Sequence, residues 1–465
     1  MPLLSPARRA LTFLTFALVA TMAPTLVSAQ VNAFAPPAGV IIDTEGVFRM
    51  KIYDDPNGEL VRQRIADAKA TMDPKVFAKS KSRKVSLNRL QKAIEARQAK
   101  GLKPTDEMLA LAGLTRLQNV LVYPDSGDIV IAGPADGWVK DASGRVVSVN
   151  NGRPVLELQD LVVALRAYPP GTKDTPKIGC SIDPTQEGLK RHREYFQTLV
   201  GLGVPDEERA AAIAEDMKKA LGPQKVRIEG VAPNTHFAQV MVEADYRMKL
   251  IGIGLEQPPV KLFNFVEKAS AAGGNNGMQR WYFMPEYQCV RTTEDHLAME
   301  LVGEGVKLVS EREMIQASGK RVAAGPSGGL SGQFAASFTK RYPELAARSP
   351  VFAQLRNLID MAVAASFIQQ NDLYHVANWQ PDLFDSEEKF PVETYVAPLE
   401  ADPAVAIVYS NNGNSITWPI GGGVSVFAHK ALDSDNLLAD EGDKVSKVRA
   451  STKVEGLAEG QWWWD

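Results

Sequence analysis

The feature that most constrains the fold is a repeated pattern in which two β-prone runs flank a short stretch of turn residues. The clearest copy is LQNVLVYPDSGDIVIAG, whose turn residues occupy positions 124–128. Two further copies are GVIIDTEGVFRMKIY at residues 39–53 and AVAIVYSNNGNSITWPIGGGVSVFA at residues 404–428. Short turns rich in Gly, Asn and Asp join antiparallel strands. The chain is therefore predicted to form antiparallel β-hairpins.

Helices with clear start signals lie between these hairpins. Ser86 precedes the helical pattern SLNRLQKAIEARQAKG, and Asp183 is predicted to cap a second helix with Pro184 at its first position. A helical hairpin is predicted within residues 327–370, and its second helix begins at Pro350 and is apolar on most sides, so it should be buried. Hairpins and segregated helical pairs predict an α+β fold with two or three subdomains.

The N-terminus has the form of a secretory signal peptide. Arg8 and Arg9 precede the apolar stretch ALTFLTFALVATMAPTLV, and the small residues VSA end at Ala29. This order predicts cleavage after Ala29 and a periplasmic or secreted mature chain. Pro24 interrupts the apolar run, and no transmembrane segment is expected after the signal is removed.

Changes in composition divide the chain into four regions. The signal peptide occupies residues 1–29, an N-terminal α+β region residues 30–228, and a C-terminal α+β region with a helical hairpin residues 229–375. Residues 376–465 form an extension rich in Pro, Gly and Asn that contains a β-hairpin and ends in an acidic, tryptophan-rich tail with Trp at positions 462–464. The sequence predicts no regular element for this tail.

The charge of the chain limits the class of partner. The formal net charge is −3 at pH 7, and it becomes −5 once Arg8 and Arg9 are removed with the signal. A mildly acidic chain of mixed charge is not expected to bind nucleic acid or anionic membranes. No cofactor is expected, and the partner would be an unknown envelope or extracellular protein or polymer.

Cys180 and Cys289 are the only cysteines, and both lie in strand-like segments. In an exported chain, an even pair of cysteines first predicts a structural disulfide. The alternatives are two buried free thiols or one reactive thiol. A bridge would fasten the aromatic stretch RWYFMPEYQC to an earlier strand.

One match to a serine-hydrolase motif is present. GPSGG, at residues 325–329, fits G-x-S-x-G with Ser327 as the nucleophile, and His375 follows Asp360 and Asp372 in the order found in such enzymes. A nucleophile elbow needs a strand before the serine and a helix directly after it. The motif lies instead in a linker of small residues, so its context argues against a catalytic role.

His296 is a second candidate, either as a base for Cys289 or as a metal ligand with Glu300. His296 and Glu300 would share one face of a helix, but on a strand they would be about 13 Å apart, too far for one ion. The following run LAMELVGEGVKLVSE has β-prone residues on both sides of positions 303–305, which favours a β-hairpin with its turn there over a helix. No metal site and no catalytic residue are therefore predicted.

The segment around residues 145–180 offers a different hypothesis. It contains GRPVLELQDLVVALR, which has the strand-to-helix order found in PDZ domains. Such a module would bind a peptide by adding it to a sheet edge beside a helix. The favoured interpretation is a strand and a helix of another α+β fold.

Several long runs resemble a known family when they are taken together. They include LAGLTRLQNVLVYPDSGDIVIAGPADGW, EADYRMKLIGIGLE and QRWYFMPEYQCVRTTEDHLAMELVGEGVKLV. They are similar to secreted bacterial proteins, typical of planctomycete-type bacteria, that carry a domain of unknown function. The resemblance covers about residues 105–372. It implies export and an α+β body, but no activity and no site residues.

The sequence therefore predicts a non-catalytic, envelope-associated protein that binds or scaffolds a partner. An exported hydrolase that uses Ser327 or Cys289 is one alternative, and a PDZ-like peptide-binding module is the other.

Overall fold

The described residues form strands and helices that follow one another along the chain. The computed structural model describes residues 38–43, 45–53, 55, 58–203, 205–271, 278–315, 321–326, 329–409 and 415–465. The predicted signal peptide and Ser327 lie outside the described residues. The strands are β1 Ala38–Ile42, β2 Val47–Ile52, β3 Ser80–Ser86, β4 Asn119–Tyr123, β5 Asp128–Ala135, β6 Trp138–Lys140, β7 Val146–Ser148, β8 Ile178–Asp183, β9 Gln224–Glu229, β10 Met278–Pro285, β11 Val290–Thr292, β12 Ala298–Leu301, β13 Val306–Ile315, β14 Arg321–Pro326, β15 Glu400–Ala401, β16 Val405–Tyr409, β17 Ser415–Val426, β18 Leu438–Ala439 and β19 Trp463–Trp464.

The helices lie mostly between these strands. They are α1 Glu59–Thr71, α2 Pro74–Phe77, α3 Leu87–Gln98, α4 Asp106–Leu109, α5 Leu158–Ala167, α6 Gln186–Leu199, α7 Glu207–Leu221, α8 His236–Gly252, α9 Phe265–Ala271, α10 Gly329–Lys340, α11 Tyr342–Arg348, α12 Pro350–Gln370, α13 Leu373–Val376 and α14 Lys444–Ser451. The three predicted hairpins are present as the antiparallel pairs β1–β2, β4–β5 and β16–β17. The predicted α+β fold class is confirmed.

The larger sheet has ten strands and is mixed. Its order is β1-β2-β15-β9-β8-β17-β10-β13-β14, and β16 also pairs with β17. Strand β17 runs parallel to β10 and antiparallel to β8. The glycines of β17 allow this close packing, because a Cβ on Gly422 would lie 1.9 Å from the carbonyl oxygen of Trp281. The sheet takes strands from all three predicted regions of the mature chain.

The smaller sheet has seven strands in the order β18-β11-β12-β4-β5-β3-β19. Its edge strand β19 belongs to the C-terminal tail, for which the sequence predicted no regular element. Arg83 on β3 is fully buried, and its guanidinium donates to Asp465 (Nε to Oδ1, 3.0 Å) and to four backbone carbonyl oxygens. Its guanidinium also lies 4.8 Å from the ring centroid of Trp463. These contacts hold the tail against β3.

The core lies where α5, α8 and α12 pack together. Nearly every residue of α12 is buried, as its apolar composition predicted. Within the described part of the chain, α12 is the one helix long and apolar enough to span a membrane, and its most apolar window is completely enclosed by protein. Core helices and membrane spans both satisfy this test of length and composition.

One predicted helix cap is wrong. Helix α6 begins after Thr185, whose side chain accepts a hydrogen bond from the amide of Gly188. The carboxylate of Asp183 instead accepts from Arg280 (3.3 Å) and lies 3.4 Å from the amide of Gly422. Partners that are distant in sequence therefore determine the role of Asp183.

The predicted Cys180–Cys289 disulfide is also wrong, because both cysteines are free, buried thiols. Cys180 lies on β8 of the ten-stranded sheet, and Cys289 directly precedes β11 of the seven-stranded sheet. A disulfide needs Cα atoms within about 7 Å of each other. Two cysteines held in different sheets by their own strand pairings do not meet this condition here.

Candidate functional site

The residues of the serine-hydrolase hypothesis do not form a triad with one another in the part of the chain that the structure describes. The side chain of His375 is 87% exposed, and its Nδ1 lies 3.8 Å from the carboxylate of Asp372, which is also exposed. Asp360 is buried and accepts a hydrogen bond from Arg116 (3.1 Å). The remaining member, Ser327, lies outside the described residues. The expectation of a linker around the motif is wrong, because β14 ends at Pro326 and α10 begins at Gly329.

Cys289 does not have the properties of an activated nucleophile. Burial raises the pKa of its thiol to about 12, and the nearby charge of Asp360 acts in the same direction. A thiol with such a pKa is almost entirely protonated at neutral pH, whereas catalytic cysteines react as thiolates. No hydrogen bond joins Cys289 to His296, both of which the structure describes.

His296 lies in the turn between β11 and β12, in a left-handed conformation with φ of 53°. Its Nδ1 is 3.4 Å from the hydroxyl of Thr292, which also lies 3.0 Å from the carbonyl oxygen of Ala298. Glu300 lies on β12 opposite Arg291, and the two side chains form an ion pair. His296 and Glu300 therefore do not share a helical face. The hairpin predicted around residues 303–305 is wrong, because β12 belongs to the seven-stranded sheet and β13 to the ten-stranded sheet, and β12 pairs instead with β11.

The PDZ-like hypothesis does not match the observed packing. Strand β7 pairs with β6 in a separate two-stranded sheet, whereas β8 belongs to the ten-stranded sheet. Helix α5, which lies between them in sequence, is largely buried and packs against α12 and α8. The segment therefore does not place a helix beside an open edge of its own sheet.

The turn that contains His296 contributes to a surface groove of about 1580 Å³. The other walls are the β4–β5 turn at residues 123–126, residues 437–443 around β18, and helix α14 with the residues that follow it. Arg449 fixes α14 in place, since it donates to the carbonyl oxygen of Val122 (3.0 Å) and to Asp295 (3.0 Å). The groove thus lies at the junction of three turns and one helix.

The groove carries an excess of negative charge. Seven acidic side chains line it, against the two basic side chains Arg449 and Lys453. Asp440 caps α14 by accepting from the amides of Val445 and Ser446, and Asp295 pairs with Arg449. The other five acids are exposed and form no ion pair within the described residues, and they are Asp125, Glu294, Glu441, Asp443 and Glu455. A cationic ligand would be attracted to such a surface.

A second polar cluster lies between α5, α8 and α12. His236, the first residue of α8, places Nδ1 at 3.1 and 2.9 Å from the two carboxylate oxygens of Asp160. Its Nε2 is 3.8 Å from Oε1 of Glu157 and 3.5 Å from the amide nitrogen of Gln354. The ring of Tyr395 lies 5.9 Å away between centroids. A histidine thus stands between two carboxylates.

These carboxylates decide the protonation of His236. Burial lowers its pKa, but the charges of Asp160 and Glu157 and the hydrogen bond to Asp160 raise it more, to about 10. The positive charge of Arg145 opposes this rise. His236 is therefore an imidazolium at neutral pH and is not a general base.

The cluster continues along α8 as a chain of ion pairs. Arg145 donates to the amide oxygen of Gln354 (2.9 Å) and pairs with Glu243. Arg247 lies 3.7 Å from Glu243 and 2.6 Å from Glu256. Each arginine therefore has a carboxylate of its own.

Sequence reasoning missed this cluster. No local pattern singles out His236, because its partners lie 76 and 79 positions earlier in the chain. One usable signal was present: Asp160 is the single acid in the helix LQDLVVALRA, whose other residues are apolar except Gln159 and Arg166. A buried carboxylate of this kind needs a charged or hydrogen-bonding partner.

Comparisons with known proteins give one match. Residues 180–265 match the model of a family described as a protein of unknown function (DUF1598). This span is shorter than residues 105–372, the part of the sequence that resembles the secreted bacterial proteins. It includes His236 and α8 but neither Asp160 nor the groove. Comparisons with curated proteins and with solved structures give no match. The chain thus contains a DUF1598 domain at residues 180–265.

Proposed function

We propose that this protein is a non-catalytic binding protein of the cell envelope or extracellular space, and that its acidic groove holds a cationic segment of the partner. The observation that carries the proposal is the groove itself. It is open, has a volume of about 1580 Å³ and carries seven carboxylates against two basic side chains.

The charges of the groove are available for binding. A carboxylate that caps a helix or pairs with an arginine already contributes to the fold, as Asp440 and Asp295 do. The five remaining acids are exposed and have no ion pair among the described residues. Their mutual repulsion would be relieved by a basic ligand, so binding should weaken steeply as salt is added.

The state of the candidate catalytic groups supports binding over hydrolysis. His236 is held as an imidazolium by two carboxylates, His375 is exposed, and Cys289 is a buried thiol whose pKa is raised to about 12. A hydrolytic centre needs a base with an accessible lone pair next to its nucleophile. The envelope location rests on the signal-peptide pattern of residues 1–29.

Binding of a cationic ligand to the groove can be tested with a fluorescent decalysine peptide, whose fluorescence anisotropy is measured at low ionic strength. A lysine about 8 Å from a groove carboxylate in water gains about 0.5 kcal/mol. Reversing two charges, as in E294K/E441K, should therefore cost about 2 kcal/mol, or roughly a thirtyfold rise in Kd. The control is E208K/E388K, which makes the same change in net charge at exposed residues outside the groove.

The proposal expects weaker binding only in the groove variant, and no binding of a decaglutamate peptide. Equal losses in both variants would show attraction to net charge alone and would refute the groove. Failure of the unaltered protein to bind decalysine would refute the cationic partner.

A further inference from the structure

Three metal-binding side chains converge in the cluster between α5 and α8. One donor atom from each of Glu157, Asp160 and His236 can be chosen so that all three lie within 4.8 Å of one another. From this convergence we propose that the three residues form a site for a divalent transition-metal ion such as Zn²⁺. This proposal is independent of the groove.

The spacing of the donor atoms suits such an ion. Zn²⁺ binds nitrogen and oxygen at about 2.0–2.2 Å, so two ligands of a tetrahedral site lie about 3.3–3.5 Å apart. The structure places His236 Nε2 at 3.8 Å from Glu157, and Nδ1 at 2.9 Å from the nearer oxygen of Asp160. These two contacts use different ring nitrogens, and one ion binds only one of them. With one donor atom from each residue the separations reach up to 4.8 Å, so the carboxylates would have to move inward by about 1 Å to bind the ion together with the histidine.

The balance of charge points the same way. Arg145 is matched by Glu243, and Arg247 by Glu256. This leaves two carboxylates facing one histidine. Metal ligation requires a neutral histidine, so a divalent ion would displace one ring proton. Two carboxylates, a neutral imidazole and a dication together carry no net charge.

A further oxygen donor lies beside the cluster. The side-chain nitrogen of Gln159 donates to Glu157 (2.8 Å), while its Oε1 is buried and accepts no hydrogen bond from the described residues. The side chains of His236 and Glu157 are 14% and 17% exposed, so solvent reaches the edge of the cluster. An ion can therefore reach the cluster from the surface.

Calorimetric titration of the full, tag-free chain with ZnCl₂ tests the site directly. We expect one ion per chain, with an apparent Kd that decreases as the pH rises from 6 to 8, because the imidazole must lose a proton. H236Q and E157Q should each raise the Kd at least tenfold. Co²⁺ should give a visible absorption band that is lost in the same variants.

Two control variants distinguish this site from other side chains that could bind Zn²⁺. H375Q removes an exposed histidine, and E294K/E441K alters the groove, and both should bind Zn²⁺ as the unaltered chain does. Unchanged binding by folded H236Q and E157Q would overturn the proposal, as would no binding at about 100 µM Zn²⁺. Circular dichroism checks folding, and partly exposed Glu157 keeps the test valid if H236Q fails to fold.

Discussion

The ion pairs of His236 predict a stability that depends on pH. An unfolded histidine has a pKa near 6.5, and the folded value is about 10 because Asp160 and Glu157 favour the imidazolium. The pKa is raised by folding, so the contribution is fully present below pH 6.5. It is lost as the pH rises towards 10.

The size of the effect follows from the two pKa values. Each unit of difference corresponds to 1.36 kcal/mol. Between pH 6 and pH 9 the contribution of His236 should fall by about 3 kcal/mol. For a unit of about 430 residues, 1 kcal/mol shifts Tm by about 1 °C.

The substitution that tests this reasoning is H236Q, which removes the titrating group. Scanning calorimetry in the presence of a chelator should show H236Q less stable than the unaltered protein. The difference in Tm should be about 3 °C larger at pH 6 than at pH 9. His375 is exposed, so H375Q should show little dependence on pH. A Tm difference for H236Q that stays constant from pH 6 to 9 would refute the assignment of His236 as a buried imidazolium.

Four further predictions concern other parts of the chain. Without reductant, a thiol reagent should label Cys180 and Cys289 only after denaturation, since both are buried free thiols; failure to label the denatured chain would indicate a disulfide. R83A should lower the free energy of unfolding by about 3–5 kcal/mol, because it leaves several buried carbonyl oxygens and a carboxylate without their donor, and an unchanged Tm would contradict this. A fluorophosphonate probe should not label Ser327, and stoichiometric labelling that H375A abolishes would reinstate the hydrolase. Intact-mass analysis of protein from the cell envelope should find Gln30 as the first residue, and a full-length chain in the cytosol would contradict this.

Elements with local signals could be predicted from the sequence. The β4–β5 hairpin follows from its turn residues. Helix α3 begins at the predicted cap, since the side chain of Ser86 accepts from the amide of Arg89. These signals lie within a few residues of the structure they determine, so one sequence is enough to find them.

The contacts that the sequence did not reveal join distant residues. The sequence predicted Asp183 as a helix cap, but its carboxylate accepts a hydrogen bond from Arg280, 97 positions later. Arg83 and Asp465 are separated by 382 positions, so a tail without periodicity still forms an edge strand. In each case the two partners are brought together by the packing of the sheets. A pattern of neighbouring residues does not predict that packing.

The distribution of charge distinguishes groups that stabilise the fold from groups that are available to a ligand. Lys249 and Asp245 are both fully buried and paired at 2.6 Å, and Arg116 similarly lies against Asp360. Removing one partner of such a pair leaves a buried charge without an opposite charge beside it. These groups therefore stabilise the fold and are not available to a ligand. The five groove acids without an ion pair among the described residues have no such role, because they are exposed and repel one another. Replacing these five acids should leave the stability of the protein nearly unchanged or improve it, and should weaken the binding of a cationic ligand. That separation of effects is what a binding surface, unlike a buried ion pair, should show.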